Sequence, residues 1–167
     1  KLNPSKQEVK DFEAGEMVSF LPMEAIGEDG SLKLEQEKEI GECLTGYTFF
    51  RDGDVCLAKI TPCFENGKGA VLVRLKNGLG FGTTELIVAR PLHEKVTAKF
   101  VDYLFRSQVF RKLGESEMYG AGGQKRVPDS FVRDFVALLP PVREQVLLVN
   151  FLDRETAKID ALIAEQQ

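Results

Sequence analysis

The chain has 167 residues, 43% hydrophobic and 29% charged, with a formal net charge of -4, the balance of an ordinary globular protein long enough to bury its own core. A mean hydropathy of -0.16 and 12 Phe argue against disorder, and no apolar stretch reaches the ~18 residues of a membrane span. Cys43, Cys56, Cys63 and the single His93 make neither a disulfide framework nor a tetrahedral zinc set, and they leave a nucleophile–His–acid triad only through a loop histidine.

The first half reads as strands and turns. Met17 to Leu21 is a β-prone run closed by Pro22; Glu28-Asp29-Gly30-Ser31 is a turn, after which Ser31 to Leu34 alternates polar and apolar. Tyr47 to Phe50 is a further β-prone piece, and Arg51-Asp52-Gly53-Asp54 turns the chain. Val55 to Ile60 resembles a buried strand, Asn66 to Gly69 a turn, Ala70 to Leu75 a strand, Asn77-Gly78 a turn, and Glu85 to Ala89 a strand stopping before Pro91. Such spacing predicts a sheet-rich core.

The period then changes. From Val96 to Leu113, residues Phe100, Val101, Leu104, Phe105, Val109 and Phe110 fall on one helical face, and Gly114 is a natural stop. Tyr119 to Gly123 is a flexible loop, Pro128-Asp129-Ser130 precedes a short helix, Phe135 to Leu139 reads as a last buried strand, and Pro140-Pro141 closes the domain. Val149, Leu152, Thr156, Ile159 and Ile163 follow 3-4 spacing, broadened by Leu148 and Leu162, which predicts an amphipathic helix of coiled-coil type. It either folds back on the core or takes a partner helix, and the Pro-Pro break favours the partner. The expected architecture is mixed α+β: a sheet-rich domain with packed helices over residues 1–141, then a helix over 142–167.

Charge is unevenly spread. Residues 1–55 hold 6 basic and 13 acidic side chains, whereas 56–98 hold 6 and 3, 99–143 hold 8 and 5, and 144–167 hold 2 and 5. A basic centre between acidic ends permits phosphate contacts, which respond to local field, and it predicts weak non-specific affinity. Three polar stretches lie in that centre. In Ala58 to Lys68, the donors Lys59, Thr61, Asn66 and Lys68 surround a turn shaped by Pro62 and Gly67. In Gly80-Phe-Gly-Thr-Thr-Glu85, the glycines permit close backbone approach, and Thr83 and Thr84 offer hydroxyls to phosphates or base edges. In Tyr119 to Arg126, a glycine hinge carries Gln124, Lys125 and Arg126 beside an aromatic ring; Gln reads adenine and Arg guanine, and both also hold backbone. Each stretch also reads as a solvated hairpin or loop.

Two catalytic patterns are weighed against these. Asp54, Glu65 and Lys68 approach the carboxylate set of a metal-dependent nuclease, but the spacing is Glu-x-x-Lys. Leu139-Pro-Pro-Val142 lacks the amide or acid and the aromatic of an adenine methyltransferase loop.

Taken together, the chain resembles the specificity subunit of type I restriction–modification systems, and more narrowly one target recognition domain with the start of its conserved spacer helix. The matching stretches are Asn3 to Lys6, Val18 to Glu24, Gly46 to Phe50, Asp52 to Val55, Ala58 to Lys68, Gly80 to Glu85, Gly120 to Arg126, Leu139 to Gln145 and Phe151 to Asp160. They occur in the family's order and cover nearly the whole chain. The resemblance implies a non-catalytic, cytoplasmic chain that binds duplex DNA and reads half of a split site. It implies docking to modification subunits and, through the complex, a restriction subunit; the methyl donor, ATP and magnesium belong to those partners. Lys59, Thr61, Asn66, Lys68, Thr83, Thr84, Tyr119, Gln124, Lys125 and Arg126 would lie on DNA. Leu148, Leu152, Ile159 and Ile163 would belong to the spacer or partner interface. Family members carry two such domains and this chain carries one, so it is expected to be a fragment or a half-length subunit that pairs with itself. Two competing readings are a small metal-dependent endonuclease and an assembly module that acts through its last helix without touching DNA.

Overall fold

A computed structural model describes residues 1–165. Among the described residues, seven short strands form two sheets. The first contains β1 (Met17–Leu21), β2 (Glu37–Glu39), β3 (Thr48–Arg51) and β6 (Leu79–Gly82) in the order β2-β1-β6-β3. β1 runs parallel to β6, and the other pairs are antiparallel. The second sheet is antiparallel, with β4 (Val55–Ala58) between β5 (Gly69–Val71) and β7 (Leu86–Ala89). The helices are α1 (Ile40–Cys43), α2 (Ala98–Arg106), α3 (Gln108–Ser116), α4 (Asp129–Asp134) and α5 (Val142–Ala164).

The continuous apolar runs follow from layering, since strands covered on both faces lose the polar half of their alternation. Leu21, Phe50, Cys56, Ala70, Leu86 and Val88 pack together between the sheets. The opposite side chains of the first sheet, Val18, Phe20, Phe49 and Phe81, pack with Val9 and with Ile40 and Cys43 of α1. Those of the second sheet, Leu57 and Ile87, pack with Phe64, Phe110, Val127 and Val132. Phe110 is the hub of that last cluster, with ring centroids 5.0 Å from Phe105, 5.1 Å from Phe131 and 4.9 Å from Phe135. Burial pushes the Cys56 thiol up to about 12, so it behaves as a small core hydrophobe.

The first residues lie along the outer edge of β7. Leu2 bridges Ala89, Asn3 donates its backbone N–H to the Val88 carbonyl at 2.7 Å, and the Val88 N–H donates to Asn3 Oδ1 at 2.9 Å. The Asn3 side-chain amide continues to Asp129 of α4 at 2.8 Å.

Several sequence expectations are corrected. The helix expected over 96–113 is two helices, because Ser107 adopts extended geometry and its hydroxyl caps the Phe110 N–H at 3.3 Å, just as Thr97 caps the Phe100 N–H at 3.2 Å. Gly114 lies inside α3 instead of ending it, and a Cβ there would come within 2.3 Å of the Phe64 ring. Val109 is largely exposed, whereas Asp102 is buried on the inner side of α2. Ser31 to Leu34 holds only an isolated bridge from Leu32 to Ile26. The last strand expected over Phe135 to Leu139 does not form: Val136 is 90% and Leu138 95% exposed. The β7 edge is already taken by Leu2, and Pro140-Pro141 has no N–H with which to extend a ladder. The final helix is described to Ala164, and residues 166–167 of the expected span lie outside the described residues.

Candidate nucleic-acid interface

Beyond Ala58 the chain continues in extended form and gathers two distant segments. On one side, the Lys59 N–H donates to the Glu85 carbonyl at 2.9 Å. On the other, the Val127 N–H donates to the Lys59 carbonyl and the Thr61 N–H to the Lys125 carbonyl, each at 2.9 Å. Tyr119 and Arg126 exchange backbone hydrogen bonds of 3.1 and 2.9 Å, closing the glycine loop at its base. The segments that carry Lys59 and Thr61, Thr83 and Thr84, and Tyr119 to Arg126 are therefore neighbours at the β4–β7 end, although 67 positions separate the first residue from the last. Gly120, Gly122 and Gly123 have positive φ, and residues 119–125 are exposed.

The polar groups are unequally free. Arg126 pairs with Glu85, with Nη2 and Nε donating to the carboxylate at 2.7 and 2.9 Å. These hydrogen bonds hold the Glu85 carboxyl below the ordinary range, aided by the nearby charges of Arg126 and Lys59 and opposed by desolvation. The Thr61 hydroxyl donates to Glu65 Oε1 at 2.9 Å, and Thr83 Oγ1 accepts from the Glu85 N–H at 3.2 Å. Lys59, Lys125 and Gln124 have no side-chain hydrogen bond among the described residues. Thr84 and Tyr119 are exposed.

Asn66 and Lys68 do not join this group. Their side chains donate to Glu28 Oε1 at 2.8 Å and to the Met23 carbonyl at 3.2 Å. Asn66 instead lines a cleft of about 560 Å³ with Glu28, Arg106, Arg111, Leu152 and Asp160. The close approach expected at Gly80 and Gly82 also serves the core. A Cβ at Gly80 would lie 2.3 Å from the Phe50 ring, and one at Gly82 would lie 2.7 Å from the Leu21 carbonyl.

The carboxylates of the nuclease pattern are not assembled, because Asp54 and Glu65 sit at opposite ends of β4. Asp54 is 1% exposed. It accepts from Arg90 Nε and Nη2 at 2.7 and 2.8 Å and from the Arg51 N–H at 2.9 Å. Among the described residues, no cluster of His, Cys, Asp and Glu is placed to hold a metal, and no helix is long and apolar enough to cross a membrane.

The last helix, α5, is only half covered. Gln145 and Val149 are buried where α5 meets α2. Farther along, Tyr103 donates to Asp153 at 2.6 Å. Leu148, Leu152, Ile159 and Ile163 are 45%, 36%, 56% and 51% exposed, accompanied by Leu147, Phe151 and Leu162 at 68%, 52% and 59%. The fold-back alternative holds for one face of the first half of this helix, which rests on the core, while an apolar face running from Leu147 to Ile163 is bare. Sequence reasoning missed Glu85 as the partner of Arg126 and Gln145 as a buried anchor. The only signal for Glu85 was its place at the end of the Gly-Phe-Gly-Thr-Thr stretch.

No protein-family model matches the chain. The specificity subunit of the Escherichia coli type I restriction enzyme EcoEI is 43% identical over 167 residues, 99% of this chain and 27% of that protein. The EcoAI specificity subunit, also from Escherichia coli, is 45% identical over 150 residues, 89% of this chain and 25% of that protein. The chain thus spans about a quarter of the curated relatives it matches. Among solved structures, the HsdS subunit from Thermoanaerobacter tengcongensis superposes with a TM-score of 0.73 at 21% identity, over 89% of this chain and 38% of that one. A chain from a study of complex assembly and conformational transition in a type I restriction–modification system gives 0.71 at 22% identity, over 91% and 40%. These two likenesses bear out the mixed α+β fold.

Proposed function

We infer that this chain, related over nearly its whole length to one stretch of type I restriction enzyme specificity subunits, binds duplex DNA and reads one half of a bipartite site. In this reading residues 1–141 are the recognition domain and α5 opens the spacer that docks modification subunits. The chain performs no chemistry itself and acts in the cytoplasm, where the methyl donor, ATP and magnesium serve its partners. The observation that carries the reading is the hydrogen-bonded adjacency of the segments 59–61, 83–85 and 119–127, which holds near one another two lysines and a glutamine without side-chain hydrogen bonds among the described residues and the exposed Thr84 and Tyr119. Asn66 and Lys68, turned toward the Glu28 turn, leave the inferred contact set. The bare apolar stripe of α5 supports association with another helix, from a modification subunit, a second recognition half or a second copy of the chain. It accompanies DNA binding in this reading and does not replace it. The endonuclease alternative has no support in the site, because Asp54 is committed to Arg90.

The test is selection from a random duplex library by the protein together with its modification subunits. A short enriched motif supports DNA readout, and two spaced copies of one motif indicate self-pairing. Absence of enrichment at low salt, with the complex verified, overturns DNA readout and leaves the assembly role. DNA cleavage with magnesium and without partner subunits would revive the nuclease reading.

A further inference from the structure

Arg126 and Glu85 meet edge to edge. The arginine's Nε and Nη2 serve the carboxylate. A guanidinium holds five N–H donors in one rigid plane, so the Nη1–Nη2 end stays unclaimed by any partner among the described residues. The two side chains are 36% and 25% exposed, so the pair lies at the surface. Both backbones are fixed: Arg126 is bridged to Ile60 and Tyr119, and the Glu85 carbonyl accepts from the Lys59 N–H.

This arrangement suits a base better than a phosphate. Attraction to phosphate draws on net charge and counterion release, and a guanidinium already paired with a carboxylate offers little net charge. It does offer directed donors on a side chain that is ordered before its ligand arrives. The end-on fork matches the O6 and N7 acceptors of guanine in the major groove, whereas adenine places an amino donor where guanine has O6. Lys59 and Lys125 are the opposite type, compact charges on flexible stems with no side-chain partner among the described residues.

We propose that Arg126, braced by Glu85, reads one guanine of the target: its free Nη1–Nη2 end takes the O6/N7 edge, and Glu85 is the positioning residue. The proposal rests on the DNA-binding reading above. Exchange of that guanine is expected to weaken binding about ten- to a hundredfold.

The experiment repeats the library selection, with modification subunits present, for the wild type, Arg126→Ala, Arg126→Lys and Glu85→Gln, and adds a salt titration of the selected duplex. The expected result is a wild-type motif with one guanine whose preference disappears in Arg126→Ala and weakens in Arg126→Lys, whose flexible ammonium still reaches O6 or N7 without the braced fork, while the other positions persist. Arg126→Lys guards against loss of the loop, since it keeps the charge and the stem. Glu85→Gln should relax that same position while binding of unselected DNA stays level or rises, because a negative charge has been removed; a merely structural role would not produce this combination. The proposal is overturned if the Arg126 variants keep the whole motif. It is equally overturned if they weaken all sequences alike with a salt slope reduced by about 0.9, the mark of a phosphate contact. A motif free of G·C pairs also overturns it. If the wild type selects no motif, the DNA reading itself fails and takes the proposal with it.

Discussion

Two buried carboxylates are handled in opposite ways. Asp54 is fully satisfied by Arg90 and the Arg51 N–H, and Arg90 is shared with Glu8. Hydrogen bonds from Arg90 hold the Glu8 carboxyl below its ordinary range. Removal of one partner from a buried pair strands the other charge, so Arg90→Met should cost about 3–5 kcal/mol, read as a lower midpoint in urea unfolding. Asp102 instead has a single ion-pair partner among the described residues, Arg106 at 3.5 Å. Desolvation raises its carboxyl above the ordinary value, against the pull of Arg106 and Lys99. A raised carboxyl binds its proton more tightly in the folded state, so folding loses stability as pH climbs from the unfolded value through the folded one. Asp102→Asn is therefore expected to raise Tm at pH 7 by a margin that closes near pH 4, and a constant difference across that range would contradict this account.

At the scale of elements, Gln145 anchors the start of α5 to the domain, beside the buried Val149 and the Tyr103–Asp153 hydrogen bond. Gln145 donates to the Lys95 and Pro140 carbonyls, both at 2.8 Å, and accepts from the Thr97 N–H at 2.9 Å, all while fully buried. Gln145→Ala leaves three polar groups without partners and should cost about 2–4 kcal/mol, with faster amide exchange over residues 142–153 than in the sheets. β1, β3, β4, β5, β7 and α5 were legible because their signals are local, apolar runs between Asp-Gly and Asn-Gly turns and 3-4 spacing after Pro-Pro, whereas β2, made of Glu37–Glu39, and the glycine-rich β6 carry no such run. The break at Ser107 was equally local but hidden, since the apolar period continues across it while the hydroxyl starts a new helix. Gly114 was misread because a glycine that ends a helix and one that admits a ring look alike until Phe64 is in place. The site divided in the same way. Residues 59–61 and 124–126 announced their chemistry, but nothing linear showed that Asn66 and Lys68 turn toward residues 23 and 28, or that Glu85 holds Arg126.

For the whole molecule, an acidic total coexists with a small cationic face. Arg126 is offset by Glu85, which leaves Lys59 and Lys125 as the face's free charges. Phosphate contacts through them should be modest and salt-sensitive: Lys59→Ala and Lys125→Ala should each reduce the slope of log K against log salt by about 0.9, equally for cognate and random duplexes. A change in sequence preference would instead mark either lysine as a base reader.

The strand of residues 1–3 along β7 has a consequence for solubility. An uncovered outer strand offers a row of vacant amides and carbonyls to any neighbouring molecule and becomes a template for aggregation. Here Lys1, Leu2 and Asn3 occupy that row on the Val88–Arg90 side, so three residues with little share in the core act as the sheet's guard against self-association.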